Sequence, residues 1–226
     1  MIQELFDRLA ASYDQGVIES DKENAFPFAG YQKTLDFIAD EIAGKARLGR
    51  VRLLDLGIGT GLLETRLAPE TIELTGIDLS EKMLEICRLR HPDASLHQAD
   101  FLRGIPSRED IKWDVIVSTY AMHHLPTADF MRFIDELLLM LTPFGRIYIG
   151  DILFLDSRER EACRIRNLDS WDAAEYYHAY DEIRAMADGT LALSFLKTSF
   201  CGGVLIVEKY HELSAPECAA NLKVRR

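Results

Sequence analysis

No two cysteines stand close together in this chain. Cys87, Cys163, Cys201 and Cys218 are far apart, with no CxxC pair and no Cys/His spacing of a zinc site. Reduced thiols of a cytoplasmic protein are the expectation. Long apolar runs are missing as well: no segment approaches the length of a membrane span. Residues 1–20 carry Glu4, Asp7, Arg8, Asp14 and Glu19, so they hold no uninterrupted apolar core for a signal peptide. Basic charge is scarce, with 26 Lys+Arg against 37 Asp+Glu and a net charge of −11. That balance repels phosphate backbones and anionic bilayers, which argues against nucleic acid or a membrane as partner. Internal repeats and low-complexity tracts are absent. The 226 residues suit one domain that buries roughly 70–75% of its unfolded surface.

What is present is a buried-strand pattern that ends in glycines. Val51 to Leu56 is short, branched and apolar, as in a parallel strand, and Gly57, Gly59 and Gly61 follow on alternate positions. Leu62, Leu63, Leu67 and Ala68 then return at helical spacing until Pro69, which predicts a short helix. Glycines at a strand exit let a ligand lie against bare backbone and meet its N–H groups. Two familiar nucleotide motifs do not fit. A dinucleotide fingerprint needs a glycine at position 62, which is Leu, and no Gly-Lys-Ser or Gly-Lys-Thr of a P-loop follows.

The remaining pattern alternates strands and helices. Ile2, Leu5, Phe6 and Leu9 predict a first helix, residues 15–30 a loop, and Tyr31, Leu35, Ile38, Ala39 and Ile42 a second helix ended by Gly44 and Gly49. Further strands are expected at 71–77, ending at Asp78, and at 95–98, ending at Asp100-Phe101. Others are expected around 115–117, ending in Ser118-Thr119-Tyr120, and from Arg146 to about Asp151. Ser80 caps a helix over 81–90, and Phe130 to Leu141 forms a strongly amphipathic helix closed by Pro143 and Gly145. Residues 157–188 are expected to be helical in one or two pieces, and 191–200 and 204–210 to form an antiparallel hairpin. Such alternation calls for a mostly parallel sheet of seven strands with helices on both faces. Ligands then bind at the carboxyl ends of the strands.

Asp55-x-Gly57-x-Gly59-x-Gly61, with Asp78 after the second strand, resembles the class I S-adenosylmethionine-dependent methyltransferases over most of residues 50–151. Phe6-Asp7-x4-Ser12-Tyr13-Asp14 and the segment Ser118 to Leu125 look like a bacterial branch of small-molecule methyltransferases. The resemblance implies a Rossmann-like α/β fold of seven strands whose last strand is antiparallel. It implies that the Gly57-Gly59-Gly61 turn holds the methionine end of the cofactor, with Asp55 bracing the loop or meeting the amino group through water. Asp78 would accept both ribose hydroxyls, and Leu79 and Met83 would pack on adenine. Asp100 with Phe101 would hold the adenine edge, Thr119 would line the pocket beside the sulfonium, and Tyr13 would close a lid. The single domain, 1–226, then divides into an N-terminal lid or flank (1–44), a cofactor-binding core (50–151), acceptor-side helices with a terminal hairpin (152–210) and a tail (211–226).

The implied chemistry is in-line methyl transfer, in which orientation supplies most of the acceleration. A base is required only for an acceptor that must lose a proton, and His123, His124, Tyr120 and Asp151 are the candidates. Adjacent residues in regular structure diverge, which speaks against His123 and His124 binding one metal ion. Ser118 stands where metal-dependent O-methyltransferases place a carboxylate, so no divalent ion is expected. The Pro-Pro-aromatic and Pro-Cys motifs of DNA methylation are absent, which leaves a small-molecule acceptor. Plainer roles compete: Met83, Tyr176 and Tyr177 as packing, Asp78 and Asp100 as turn residues. Two other functions fit the same motifs, a cofactor-binding sensor without turnover and a nicotinamide-dependent oxidoreductase.

Overall fold

The computed structural model describes residues 2–106, 111–187 and 191–209, without the side chains of Ile2 and Leu5. The tail at 211–226 lies outside them, as do the side chains of Ile2 and Leu5 in the first stripe. Three helices come first, α1 (Ile2–Leu9), α2 (Tyr13–Lys22) and α3 (Tyr31–Ala46). They are followed by β1 (Val51–Leu56), β2 (Ile72–Asp78), α4 (Glu81–Arg90), β3 (Ser95–Gln98), β4 (Trp113–Thr119), α5 (Thr127–Leu139) and β5 (Leu141–Phe154). The described chain closes with α6 (Ser157–Arg166), β6 (His178–Ala179), α7 (Tyr180–Met186), β7 (Leu191–Lys197) and β8 (Gly202–Lys209).

The sheet runs β3-β2-β1-β4-β5-β8-β7, and β6 pairs with the end of β5. Strands β3, β2, β1, β4 and β5 are parallel, and β8 runs antiparallel to both β5 and β7. Side chains alternate along each strand, and two hydrophobic clusters form on the two faces. Leu53, Val115, Val117 and Tyr148 pack under α3, α4 and α6, whereas Leu54, Leu56, Ile116, Ile147 and Ile149 pack under α5 and α7. This is the Rossmann-like, mostly parallel sheet that the alternation called for, with β6 as a two-residue eighth strand.

Four elements depart from expectation. No α-helix follows the glycine turn; Glu64–Arg66 forms only a 3-10 turn. There the Thr65 hydroxyl and the Arg66 guanidinium both donate to the Leu62 carbonyl, the acceptor that a first helical turn would use. Residues 15–22 of the expected 15–30 loop are helical, within α2. Only Val17 of that helix is buried, so it has no apolar stripe to read. Pro143 and Gly145 do not close α5 but lie inside β5. Between the pairs Trp113↔Leu141 and Val115↔Arg146 the register shifts, and the extra residues bulge out. Residues 167–177 between α6 and β6 are turns and irregular backbone, so the helix expected over 157–188 forms in two pieces and Trp171, Tyr176 and Tyr177 lie outside both.

Candidate active site

The carboxyl ends of β1, β2 and β4, the segment after β3, and the two N-terminal helices enclose one cavity. Its walls include Gly57 and Gly59 after β1, Asp78 and Leu79 after β2, Met83 on α4, Asp100 and Phe101 after β3, and Thr119 and Tyr120 after β4. Phe6 from α1 and Tyr13 and Asp14 from α2 close it on the opposite side, and His124 lies along the same wall. Nine of the eleven residues expected to hold the cofactor therefore converge. The other two, Asp55 and Gly61, do not line the cavity.

Gly61 faces α4 instead. A Cβ there would come within 2.6 Å of the His91 ring and 2.8 Å of Cys87 Sγ, at φ +74, so glycine allows close packing of turn on helix. At Gly57 a Cβ would strike the Ala121 side chain at 2.7 Å. The N–H groups of the three glycines are engaged within the protein. Gly57 donates to the Ile77 carbonyl, Gly59 to Asp78 Oδ2 and Gly61 to the Ile58 carbonyl, at 2.8, 2.8 and 3.0 Å. The turn thus offers a ligand bare Cα surface, not these three donors.

Asp78 is fixed through both of its oxygens. Oδ2 accepts from Gly59 N and Oδ1 from Ser80 N, each at 2.8 Å. Each oxygen keeps a further lone pair for a ligand hydroxyl. Burial raises its pKa, against the backbone donors that lower it. Asp100 caps the following 3-10 turn through Leu102 N at 3.1 Å and pairs with Arg103 at 3.1 Å. Among the described lining residues Asp14, Asp78 and Asp100 are acidic and none is Lys or Arg. Such a wall suits a cationic ligand with a diol, flanked by the aromatic faces of Phe6, Tyr13 and Tyr31.

Of the proposed bases, Tyr120 has a pKa pushed upward by burial and stays a neutral phenol. It sits in the left-handed region at φ +52, its N–H donating to the Gly150 carbonyl at 2.8 Å. Asp151 is saturated. Oδ2 accepts from Met122 N and His123 N, and Oδ1 from Ile152 N and His123 Nδ1, at 2.7 to 3.1 Å. Burial acts to raise its carboxyl, but the His123 imidazole and the Ile152 N–H outweigh burial and hold it low. His123, buried, is opposed by burial yet raised by Asp151 and Glu175. His124 is lowered, by burial first and then by the charge of His123. Only His124 and Tyr120 of the four reach the cavity wall. The two histidine rings do not diverge: the 3-10 turn Met122–His124 sets their centroids 4.3 Å apart.

Several contacts could not be read from motifs. Asp14 accepts from Thr60 Oγ1 at 2.7 Å and pairs with Arg90 at 2.7 Å, and Arg90 donates to Thr60 Oγ1 at 2.8 Å. On α1, Asp7 accepts from Ser80 Oγ at 2.5 Å, and the Ser80 hydroxyl caps α4 at Met83 N. Beneath the turn, Asp55 and Glu64 are both buried. Neither Glu64 oxygen nor Asp55 Oδ1 finds a donor among the described residues. Burial without a donor favours the protonated form of the pair. Burial, then the Glu64 charge, raises Asp55 well above the usual range, and burial raises Glu64. Tyr176 and Tyr177 do not line the cavity; Tyr177 packs on Trp171, with ring centroids 4.4 Å apart.

The order of this sheet, its reversed strand and the acid-lined cavity at its carboxyl edge define a Rossmann-like nucleoside-binding enzyme fold. Comparison with known proteins narrows the class. Residues 53–145 match a methyltransferase domain family. An uncharacterized methyltransferase of Alkaliphilus oremlandii is 31% identical over 187 residues, 80% of this chain and 84% of the relative. One from Geobacillus thermodenitrificans is 33% identical over 201 residues, 85% and 89% of the two chains. Among solved structures, magnesium protoporphyrin IX methyltransferase from Synechocystis, crystallised with SAH, superposes with a TM-score of 0.70 at 17% identity, covering 92% of this chain and 98% of that one. The plantazolicin methyltransferase BpumL, also with SAH bound, gives 0.60 at 14% identity, covering 92% and 100%. The chain belongs to the class I S-adenosylmethionine-dependent methyltransferases. Its methyl donor is S-adenosylmethionine, and that assignment sets aside the nicotinamide reading.

Proposed function

We propose that this enzyme methylates a small neutral or cationic acceptor, with Asp78 holding the donor ribose and the glycine turn its methionine end. The fixed Asp78 carboxylate on the cavity wall carries the reading. Both its oxygens are oriented by backbone N–H groups before a ligand arrives, which is preorganisation for a diol. Asp100 and Phe101 take the adenine edge, Leu79 and Met83 its face, and Thr119 the wall beside the sulfonium. Asp55 acts from behind the turn as a brace. When bound, the donor supplies a methyl group activated on a positively charged sulfur.

The chain's own part is orientation and exclusion of water. Phe6 and Tyr13 cover the cavity as a lid, latched by Asp14 on Thr60 and Arg90 and by Asp7 on Ser80. Among the described lining residues there is no Lys or Arg, so an acceptor carrying a carboxylate or phosphate finds no cationic Lys or Arg partner there. Ser118 donates to the Leu56 carbonyl at 2.7 Å, and the methyl transfer is read as needing no divalent ion at that position. For an acceptor that must lose a proton, His124 on the cavity wall has a lowered pKa and is free to accept it.

The test is formation of S-adenosylhomocysteine by the purified full chain over a panel of amines, phenols, thiols and carboxylic acids. Turnover with the neutral and cationic members is expected. Turnover confined to carboxylates or phosphates would refute the acceptor class, and donor binding without product from any acceptor would refute the transfer reading.

A further inference from the structure

At the edge of the donor cavity lies a second arrangement, which shares only His124 with the methyl-transfer reading. We propose that His123, His124 and Glu175 form a binding site for one divalent transition-metal ion of the zinc type, with Asp151 as the residue that positions His123.

Donor geometry carries the inference. One ligand atom from each of the three residues lies within 4.8 Å of the other two. His123 Nε2 and Glu175 Oε1 are 3.5 Å apart. A direct charge-assisted hydrogen bond would close to about 2.7–2.9 Å. Two ligands on a tetrahedral zinc ion at 2.0–2.2 Å stand roughly 3.4 Å apart. The observed gap is thus the spacing of co-ligands. His124 makes no hydrogen bond among the described residues and is only partly buried, so its ring can turn the remaining ångström or so.

The surroundings are those of a metal-bound imidazole. Asp151, anchored by three backbone N–H groups, accepts from His123 Nδ1 at 2.7 Å. That bond places the ring proton on Nδ1 and turns Nε2 toward Glu175, the carboxylate–histidine–metal arrangement. Glu175 is held in turn, its Oε2 accepting from Tyr177 OH at 2.6 Å. Tyr176 N donates to the His123 carbonyl at 2.7 Å, tying the loop that carries Glu175 to the turn that carries both histidines. Two imidazoles and one carboxylate favour zinc-like ions over magnesium or calcium. Three protein ligands leave a fourth position, and because His124 also lines the donor cavity, an ion here sits at its wall. None of the three ligands is among the residues assigned to the donor, and an ion held by His124 would take the place of its role as proton acceptor.

Calorimetric titration of the chelator-treated full chain with Zn2+ tests it, together with metal analysis after dialysis. One ion per chain is expected. Glu175→Gln and His124→Ala should each weaken binding at least about tenfold, and Asp151→Asn about 10- to 100-fold, with melting curves confirming that each variant is folded. S-adenosylmethionine affinity should be the same in Glu175→Gln as in the unmodified chain, so the metal site and the methyltransferase reading fail separately. Absence of bound zinc, or zinc affinity unchanged in both Glu175→Gln and His124→Ala, would overturn the proposal.

Discussion

Asp78 owes its value to the backbone that holds it, and the choice of variant follows from that. Alanine would strip the acceptors from Gly59 N and Ser80 N at once and mix a binding defect with a folding one. Asparagine keeps one acceptor oxygen and removes the charge. Asp78→Asn should weaken S-adenosylmethionine binding at least about tenfold, a loss of ~1.4 kcal/mol expected for one hydrogen bond to a charged group, with the apo melting temperature little changed. Unaltered affinity by calorimetry would dismiss the ribose role. The Asp55–Glu64 pair makes a prediction of the other kind. Both carboxyls are raised in the folded state, so their stability contribution is fully present below the unfolded pKa of about 4. It is lost as pH rises toward the folded values, by up to about 1.4 kcal/mol per pH unit for each proton that the fold retains. Glu64→Gln supplies a permanent N–H donor to Asp55. Its melting temperature should fall less between pH 5 and pH 8 than that of the unmodified chain. Parallel curves would show that the fold retains no proton on the pair.

Helices α1 and α2 are where local structure and function meet. Beyond buried Val17 and the rings of Phe6 and Tyr13, their grip on the core is polar, Asp14 on Thr60 and Arg90 and Asp7 on Ser80. A lid of that kind should be cut by protease within residues 13–28 in the apo chain and protected when S-adenosylmethionine binds. Asp14→Ala should raise the apo cutting rate, and equal rates with and without donor would mark a docked helix instead. These links join residues 46 and 73 positions apart, which is why the motifs did not disclose them. Strand ends, by contrast, were legible. A parallel strand is a buried apolar run, and the polar residues at which it stops are at the sheet's carboxyl edge, so Asp78 follows from Ile77 and Thr119 from Val117, whereas Asp100 follows the short polar strand β3, none of whose residues is buried. The stretch after Gly61 misled for a physical reason. Leu63 and Leu67 are buried as their spacing implies, but fewer than two turns separate Gly61 from Pro69, too few to repay helix nucleation. Asp55 and Gly61 belong to the same turn yet lie behind the cavity wall, a distinction of which side of the turn faces outward that no spacing encodes.

Taken as one body, the chain sets its acidic balance against a cationic donor. A net charge of −11 and a cavity whose described charged walls are all acidic favour S-adenosylmethionine over S-adenosylhomocysteine, which lacks the sulfonium charge, and over a nicotinamide dinucleotide, which carries a pyrophosphate. The glycine turn reinforces the second preference, because its three glycine N–H groups are already bonded within the protein and Leu62 stands where a dinucleotide fold places its third glycine. Ligand-dependent melting measures both. At about 100 times its dissociation constant S-adenosylmethionine should add roughly 2.7 kcal/mol, on the order of 5–10 °C for a domain of this size. NADH at the same concentration should add nothing measurable. S-adenosylhomocysteine should fall between the two, and its deficit relative to the donor should shrink as salt is raised, since screening weakens the attraction of the acids for the sulfonium. Equal shifts from donor and product at low salt would mean that ribose and adenine contacts carry the affinity and the acidic wall does not.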